Sequence, residues 1–289
     1  MFSVLDMFTI GVGPSSSHTV GPMCAAQAFA SSLEESGAVS RVGRIRVVLY
    51  GSLSLTGLGH GTDRAILAGL EGNVPATVDT DYLLSVRERC AHDGTIHVNG
   101  TNAIAYDDDG DMVFDRWKRL APHPNGMRFQ AFDAQGNIID EQVWYSIGGG
   151  FIRRGRIDDA LISNHEQTPA SSQSPEDSGN DETAEYGDGV PYPFVSCDGL
   201  IDLCRKHHLS IADVVWANET ARRSPQEVRD RLTRIWNVMS HCIDAGCASA
   251  TPTLPGGLDV PRRAPLMYRR LAANSDVLRR DRRISSALE

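Results

Sequence analysis

The spacing of hydrophobic residues changes character along this chain, and the changes predict its elements. "RIRVVLYGSL", residues 44–53, is an apolar, β-branched run of the kind a buried strand uses. "GTIHVNGTNAIAYDDDG" alternates apolar and polar positions, and "MRFQAFDAQGNIIDEQVWYSIGG" reads as two strand-like runs about a turn at Gln135, Gly136 and Asn137. Helical spacing covers about 18–36 and 62–71, with Gly37 and Gly72 placed to end those helices. Further on the period becomes helical throughout. Ser210 with Asp213, and Ser224 with Pro225 and Glu227, form helix-start patterns. In the second of these helices Val228, Leu232, Ile235, Met239 and Cys242 fall on one stripe, closed by Gly246. The tail from Leu266 is charged and shows no buried face. The predicted fold class is α+β: an N-terminal mixed-sheet domain followed by an all-α region.

Between the two patterns, residues 163–189 hold seven acidic residues, no Lys or Arg, and no Val, Leu, Ile, Met or Phe. Such a stretch cannot bury enough apolar surface to order itself, so it reads as a solvated linker. The expected domains are 1–162, an acidic linker 163–190, and 191–289.

Charge and composition narrow the function classes. The 289-residue chain carries a formal net charge of −9, but 15 of its 28 basic residues lie after residue 189, so the front is acidic and the back mildly basic. The overall sign and the lack of an aromatic-interleaved basic patch argue against nucleic acid. No apolar run reaches the ~18 residues of a membrane span, and the N-terminus lacks a basic leader, so the expectation is a cytoplasmic protein. Six cysteines show no C-x-x-C pair and read as reduced thiols, largely in the core. The two lysines, Lys118 and Lys206, sit among charges, which disfavours a pyridoxal phosphate Schiff base.

Three stretches carry candidate chemistry. In "GVGPSSSHTVGPM", Ser15, Ser16, Ser17 and His18 stand where a helix begins, and helix starts present unpaired N–H groups suited to a carboxylate or phosphate. One serine would suffice as a cap; three followed by a histidine exceed that need. In "SLTGLGHGTDRAILAGL", His60 lies in a glycine-rich turn, with Thr62 and Asp63 opening the next helix. That spacing matches neither nucleotide-binding glycine motif. In "APHPNGM", two prolines and a glycine hold His123 in a stiff turn. The other histidines, His92, His97, His165, His207, His208 and His241, lack such settings and read as structural or solvent-facing.

These motifs, together with "WYSIGGGFI" and, after the linker, "PYPFVSCDGLIDLCRKHHLSIADVVWANE" and "LPGGLDVPRRAP", resemble the iron–sulfur type of bacterial L-serine dehydratase, or L-serine ammonia-lyase. The resemblance covers nearly the whole chain. It implies a β domain followed by the start of an α domain, and conversion of L-serine to pyruvate and ammonia with a 4Fe-4S cluster. It further implies that His60 is the base that removes the α-proton. His18 and His123 then lie near the substrate, and Ser15, Ser16, Ser17, Thr62 and Asp63 surround its polar groups. The family's α domain continues beyond the point matching Arg270 and carries its cluster cysteines there. The expectation is therefore a truncated α domain with no metal ligand in this chain, working as a homodimer or with a partner that supplies the rest. A rival follows from the likeness of the β domain to the allosteric substrate-binding domain of some phosphoglycerate dehydrogenases: a non-catalytic module that binds serine or another small anion. A cluster is required by the first reading and not by the second.

Overall fold

The computed structural model describes residues 3–164, 189–254 and 260–273, and they fall into two units. Most of the expected linker, His165 and the end of the tail lie outside the described residues.

The first unit begins at Ile10 and holds α1 (Gly21–Glu35), β1 (Arg44–Tyr50), α2 (Gly51–Thr56), α3 (Thr62–Leu70), α4 (Thr80–Asp93), β2 (Thr95–Val98), β3 (Asn102–Ala105), α5 (Asp108–Asp111), β4 (Met112–Asp115), β5 (Lys118–Leu120), β6 (Gly126–Phe132), β7 (Ile138–Gly148), β8 (Phe151–Arg154) and β9 (Leu161–Ser163). Seven strands form a mixed sheet in the order β2-β3-β1-β6-β7-β8, with β4 also on β1; β5 and β9 pair separately. Strand β1 runs parallel to β3 and β4 and antiparallel to β6. From Val47 to Tyr50 it is buried without alternation, as a strand covered on both faces must be. The predicted β6–β7 turn forms as expected: Gly136 has φ +85°, and the Asp133 carboxylate accepts from the backbone N–H groups of Gln135 and Asn137.

Helices α1 and α3 pack tightly over the sheet because their facing positions are small. Ala25, Ala26 and Ala30 are fully buried, and a Cβ on Gly69 would lie 2.3 Å from the Met23 carbonyl oxygen. The core joins these helices to Ile45, Leu49, Met127 and Phe129, with Phe29 stacked on Phe129 at 5.3 Å.

The second unit comprises α6 (Cys197–His207), α7 (Ile211–Thr220), α8 (Pro225–Ala248) and α9 (Ala264–Ala272), and residues 3–9 belong with it. The expected capping box is present, with Ser210 and Asp213 bonding reciprocally. Ser3 and the N–H of Val4 bind the buried Glu219 carboxylate, which also pairs with Arg223 at 2.8 Å. One expectation needs correction. Helix α8 runs past Gly246 to Ala248, since one glycine costs a helix only about 1 kcal/mol. Of the predicted stripe only Val228 is buried, while Leu232 and Met239 stand 36% and 39% exposed. The amphipathic face exists, and part of it stays exposed. No helix among the described residues is long and apolar enough to cross a membrane.

Candidate functional site

The serine-rich stretch does not open directly as α-helix. Ser16–Val20 forms a wide π-helical turn ahead of α1, and such turns frequently mark functional sites. Ser15 caps it, its hydroxyl accepting from the His18 N–H at 3.1 Å. Ser17 Oγ meets His18 Nδ1 at 2.9 Å, and Ser16 is exposed. His18 Nε2 lies 3.0 Å from the Ser52 hydroxyl at the start of α2, so both ring nitrogens are fixed by hydroxyls. Burial, and then the neighbouring His60, push its pKa below the usual 6.5 and keep the ring neutral at pH 7.

His60 ends a 3-10 turn, Gly57–His60, that leads into α3 through Gly61 at φ +67°. Its Nδ1 lies 2.9 Å from the Thr56 carbonyl oxygen. A carbonyl only accepts, so Nδ1 carries the proton and donates, which leaves Nε2 of the neutral ring as the basic nitrogen. The His18 and His60 ring centroids are 4.9 Å apart. Two bonds tie the segments together: Thr19 Oγ1 donates to the His60 carbonyl at 2.8 Å, and Thr62 Oγ1 donates to the His18 carbonyl at 2.5 Å.

His123 reaches the same end of β1. Pro124 O accepts from Ser52 N at 2.9 Å, while the Asn125 N–H donates to His123 Nδ1 at 3.1 Å, so the neutral ring carries its hydrogen on Nε2. Burial first, and Arg153 second, depress its pKa. Asn125 is held to Ser146 on β7 by a backbone bond and by its own side chain.

The structure therefore gathers His18, His60 and the serine turn, and links His123 to them through Ser52. Thr62 and Asp63 are used differently. Thr62 is fully buried and bonded to His18, and Asp63 is buried against Arg87 at 2.5 Å, with Arg87 also gripping Asp108. The Thr62 side chain holds the turn, while Asp63 pairs through Oδ2 and its buried Oδ1 has no hydrogen-bond partner among the described residues. Ser52, the Thr56 carbonyl and Arg87 were not singled out from the sequence. Ser52 had a signal, a hydroxyl beside a glycine at the end of an apolar strand; Arg87 had none.

His18 and His123 make stability depend on pH. Their folded pKa values lie below the unfolded value, so the unfolded chain takes up protons first as pH falls below about 6.5, and stability present above that pH is lost. The thermal midpoint should drop between pH 7 and pH 5. The drop should shrink in His18→Asn/His123→Asn, and an unchanged slope would show that other groups carry it.

An iron–sulfur cluster needs converging thiolates. Among the described residues no three His, Cys, Asp or Glu side chains converge on a metal position. Cys90 is fully buried, and burial pushes its thiol up to about 11; burial also raises Cys24. The cysteines described here do not fit the cluster that the resemblance implies.

Comparison with known proteins agrees with the arrangement of the first unit. Residues 3–156 match the family model described as serine dehydratase beta chain. The chain is 41% identical over 274 residues to an L-serine dehydratase of Streptomyces coelicolor, across 95% of this chain and 56% of that protein. It is 39% identical over 285 residues to L-serine dehydratase 1 of Escherichia coli, across 97% and 56%, and 36% identical over 278 residues to that of Haemophilus influenzae, across 96% and 56%. The chain thus spans about half the length of these relatives. A matched region that contains the π turn, the His60 turn and the His123 turn in one folded unit places this chain in the serine dehydratase family.

Proposed function

We propose that this chain supplies the substrate-binding and proton-abstracting part of an L-serine ammonia-lyase. One observation carries the reading: His60 is anchored through Nδ1–H to a carbonyl, with Nε2 left basic, 4.9 Å from a second imidazole held neutral. An α-proton beside a carboxylate is weakly acidic, so its removal needs a positioned base. His60 Nε2 takes that proton, and the Thr56 carbonyl steadies the positive charge that the ring acquires. His18, neutral between Ser17 and Ser52, does not repel that charge, and its two ring nitrogens hold those hydroxyls in place. His123 offers its Nε2–H from the neighbouring turn. Loss of the α-proton and the β-hydroxyl yields water and an enamine, which tautomerises and hydrolyses to pyruvate and ammonia. No residue described here is assigned to the departing hydroxyl. That task, with the iron–sulfur dependence that the resemblance implies, belongs to sequence that the relatives carry outside the matched region.

The reading places the protein in the cytoplasm and gives it a partner or second copy, because the exposed Leu232, Trp236, Met239 and Ile243 form a face that association would cover. A regulatory module that only binds serine is not favoured, since the relatives bear the name of the lyase. The test combines this chain, anaerobically with iron and sulfide, with the part of the Streptomyces protein that it does not span. Pyruvate should form from L-serine only in the mixture. A mixture that binds L-serine at His60 and forms no pyruvate would refute the lyase reading in favour of a binding module.

A further inference from the structure

The geometry points to Arg64 as the side chain that grips the substrate's carboxylate beside His60, an assignment that rests on the L-serine reading above. A cavity of about 250 Å³ opens within the first unit, between the Gly13–Pro14 segment, the His60 turn and the facing ends of α3 and α4. Among the described residues its titratable lining groups are His60 and Arg64, with no carboxylate, and Val12, Leu58 and Leu83 supply apolar walls. The size falls just below the ~300–1,000 Å³ of common ligand pockets, suiting a small amino acid and not a nucleotide.

Arg64 is partly buried, yet it makes no hydrogen bond or ion pair with any described residue. The contrast with Arg87 is direct. That guanidinium is engaged through all three nitrogens, paired with Asp63 and gripping both oxygens of Asp108. A guanidinium offers five N–H donors in a planar fork that matches a carboxylate, and leaving them without a partner in a cavity is unfavourable. An incoming carboxylate would satisfy the fork with two charge-assisted bonds. The position also suits the chemistry. As His60 draws off the α-proton, negative charge spreads into the attached carboxylate, and a cation fixed there stabilises that charge in the transition state more than in the ground state. Gly61, between the two residues, has open space where a Cβ would be and so leaves the approach clear.

Histidine-ring 1H–15N spectra of the full chain, recorded during titration with L-serine and with L-serinamide, test the assignment without a cluster. L-serine should shift the His60 signals saturably. L-serinamide keeps the amine and hydroxyl but lacks the carboxylate, and should leave them unmoved at tenfold higher concentration. Arg64→Gln should raise the L-serine Kd roughly tenfold or more, and Arg64→Lys should fall between, keeping the charge and losing the fork. Because Arg64 holds no bond in the fold, the thermal midpoint of Arg64→Gln should match the native chain. Native L-serine affinity in Arg64→Gln, equal binding of L-serinamide, or no response of His60 to L-serine would each overturn the proposal. Pyruvate formation with native affinity in Arg64→Gln would reject Arg64 and spare the lyase reading; Arg64-dependent binding without pyruvate formation would do the reverse.

Discussion

His60→Ala should lower L-serine turnover by roughly 10²–10⁴-fold in the assembled enzyme, the usual contribution of a positioned general base. The loss should fall on kcat, with KM nearly unchanged, because the ring's task arises in the transition state. The fold should survive. The side chain is partly exposed, and its one described ring hydrogen bond is the 2.9 Å bond to Thr56 in its own turn. The bond from Thr19 goes to the His60 backbone carbonyl, which alanine retains. Wash-out of label from α-deuterated L-serine separates this role from a structural one. The native enzyme should release deuterium to solvent, and the variant should release it at the same reduced rate at which it forms pyruvate. Near-native turnover, or label release undiminished while pyruvate falls, would place the base elsewhere.

What the sequence conveyed about this site followed from local chemistry. A histidine between two glycines and another behind three serines are legible because neither has a packing reason to be there, and the fold brings both rings together. Pairing across the fold was not legible. Asp63 looked like a free polar group at a helix start, but Arg87, on the next helix, pairs with its Oδ2, and no local pattern encodes which buried acid meets which arginine. The π turn was equally hidden, since apolar periodicity cannot distinguish one wide turn from the first turn of α1. In the helical unit the stripe on α8 was visible, and Leu232 and Met239 on it stand partly exposed. An apolar stripe states that a face requires cover; what supplies the cover is set by other parts of the chain or by another molecule.

The junction between β1 and α2 shows how the glycine pattern and the site geometry meet, and it sets the largest expected loss of stability. Gly51 has φ +56°, and a Cβ there would lie 2.3 Å from the Pro124 carbonyl oxygen and 3.2 Å from Arg119 Cβ. Gly51→Ala therefore combines two costs. The left-handed backbone disfavours any Cβ by about 1–2 kcal/mol, and the displaced Pro124 carbonyl loses the bond from Ser52, worth about 0.5–1.5 kcal/mol. The sum, about 1.5–3.5 kcal/mol, should lower the thermal midpoint by roughly 3–14 °C. Gly136→Ala is the control. Gly136 has φ +85° with nothing within 4 Å of its Cβ position, so it carries the backbone cost alone and should move the midpoint by only a few degrees. The two variants should also differ at the imidazoles. Moving Pro124 disturbs His123 on one side and, through Ser52, His18 on the other, so the ring signals of both should shift in Gly51→Ala and stay in place in Gly136→Ala. Equal midpoints for the two alanine variants would show that the Pro124 carbonyl yields without cost, and the link drawn here from His123 through Ser52 to His18 would then not be a fixed one.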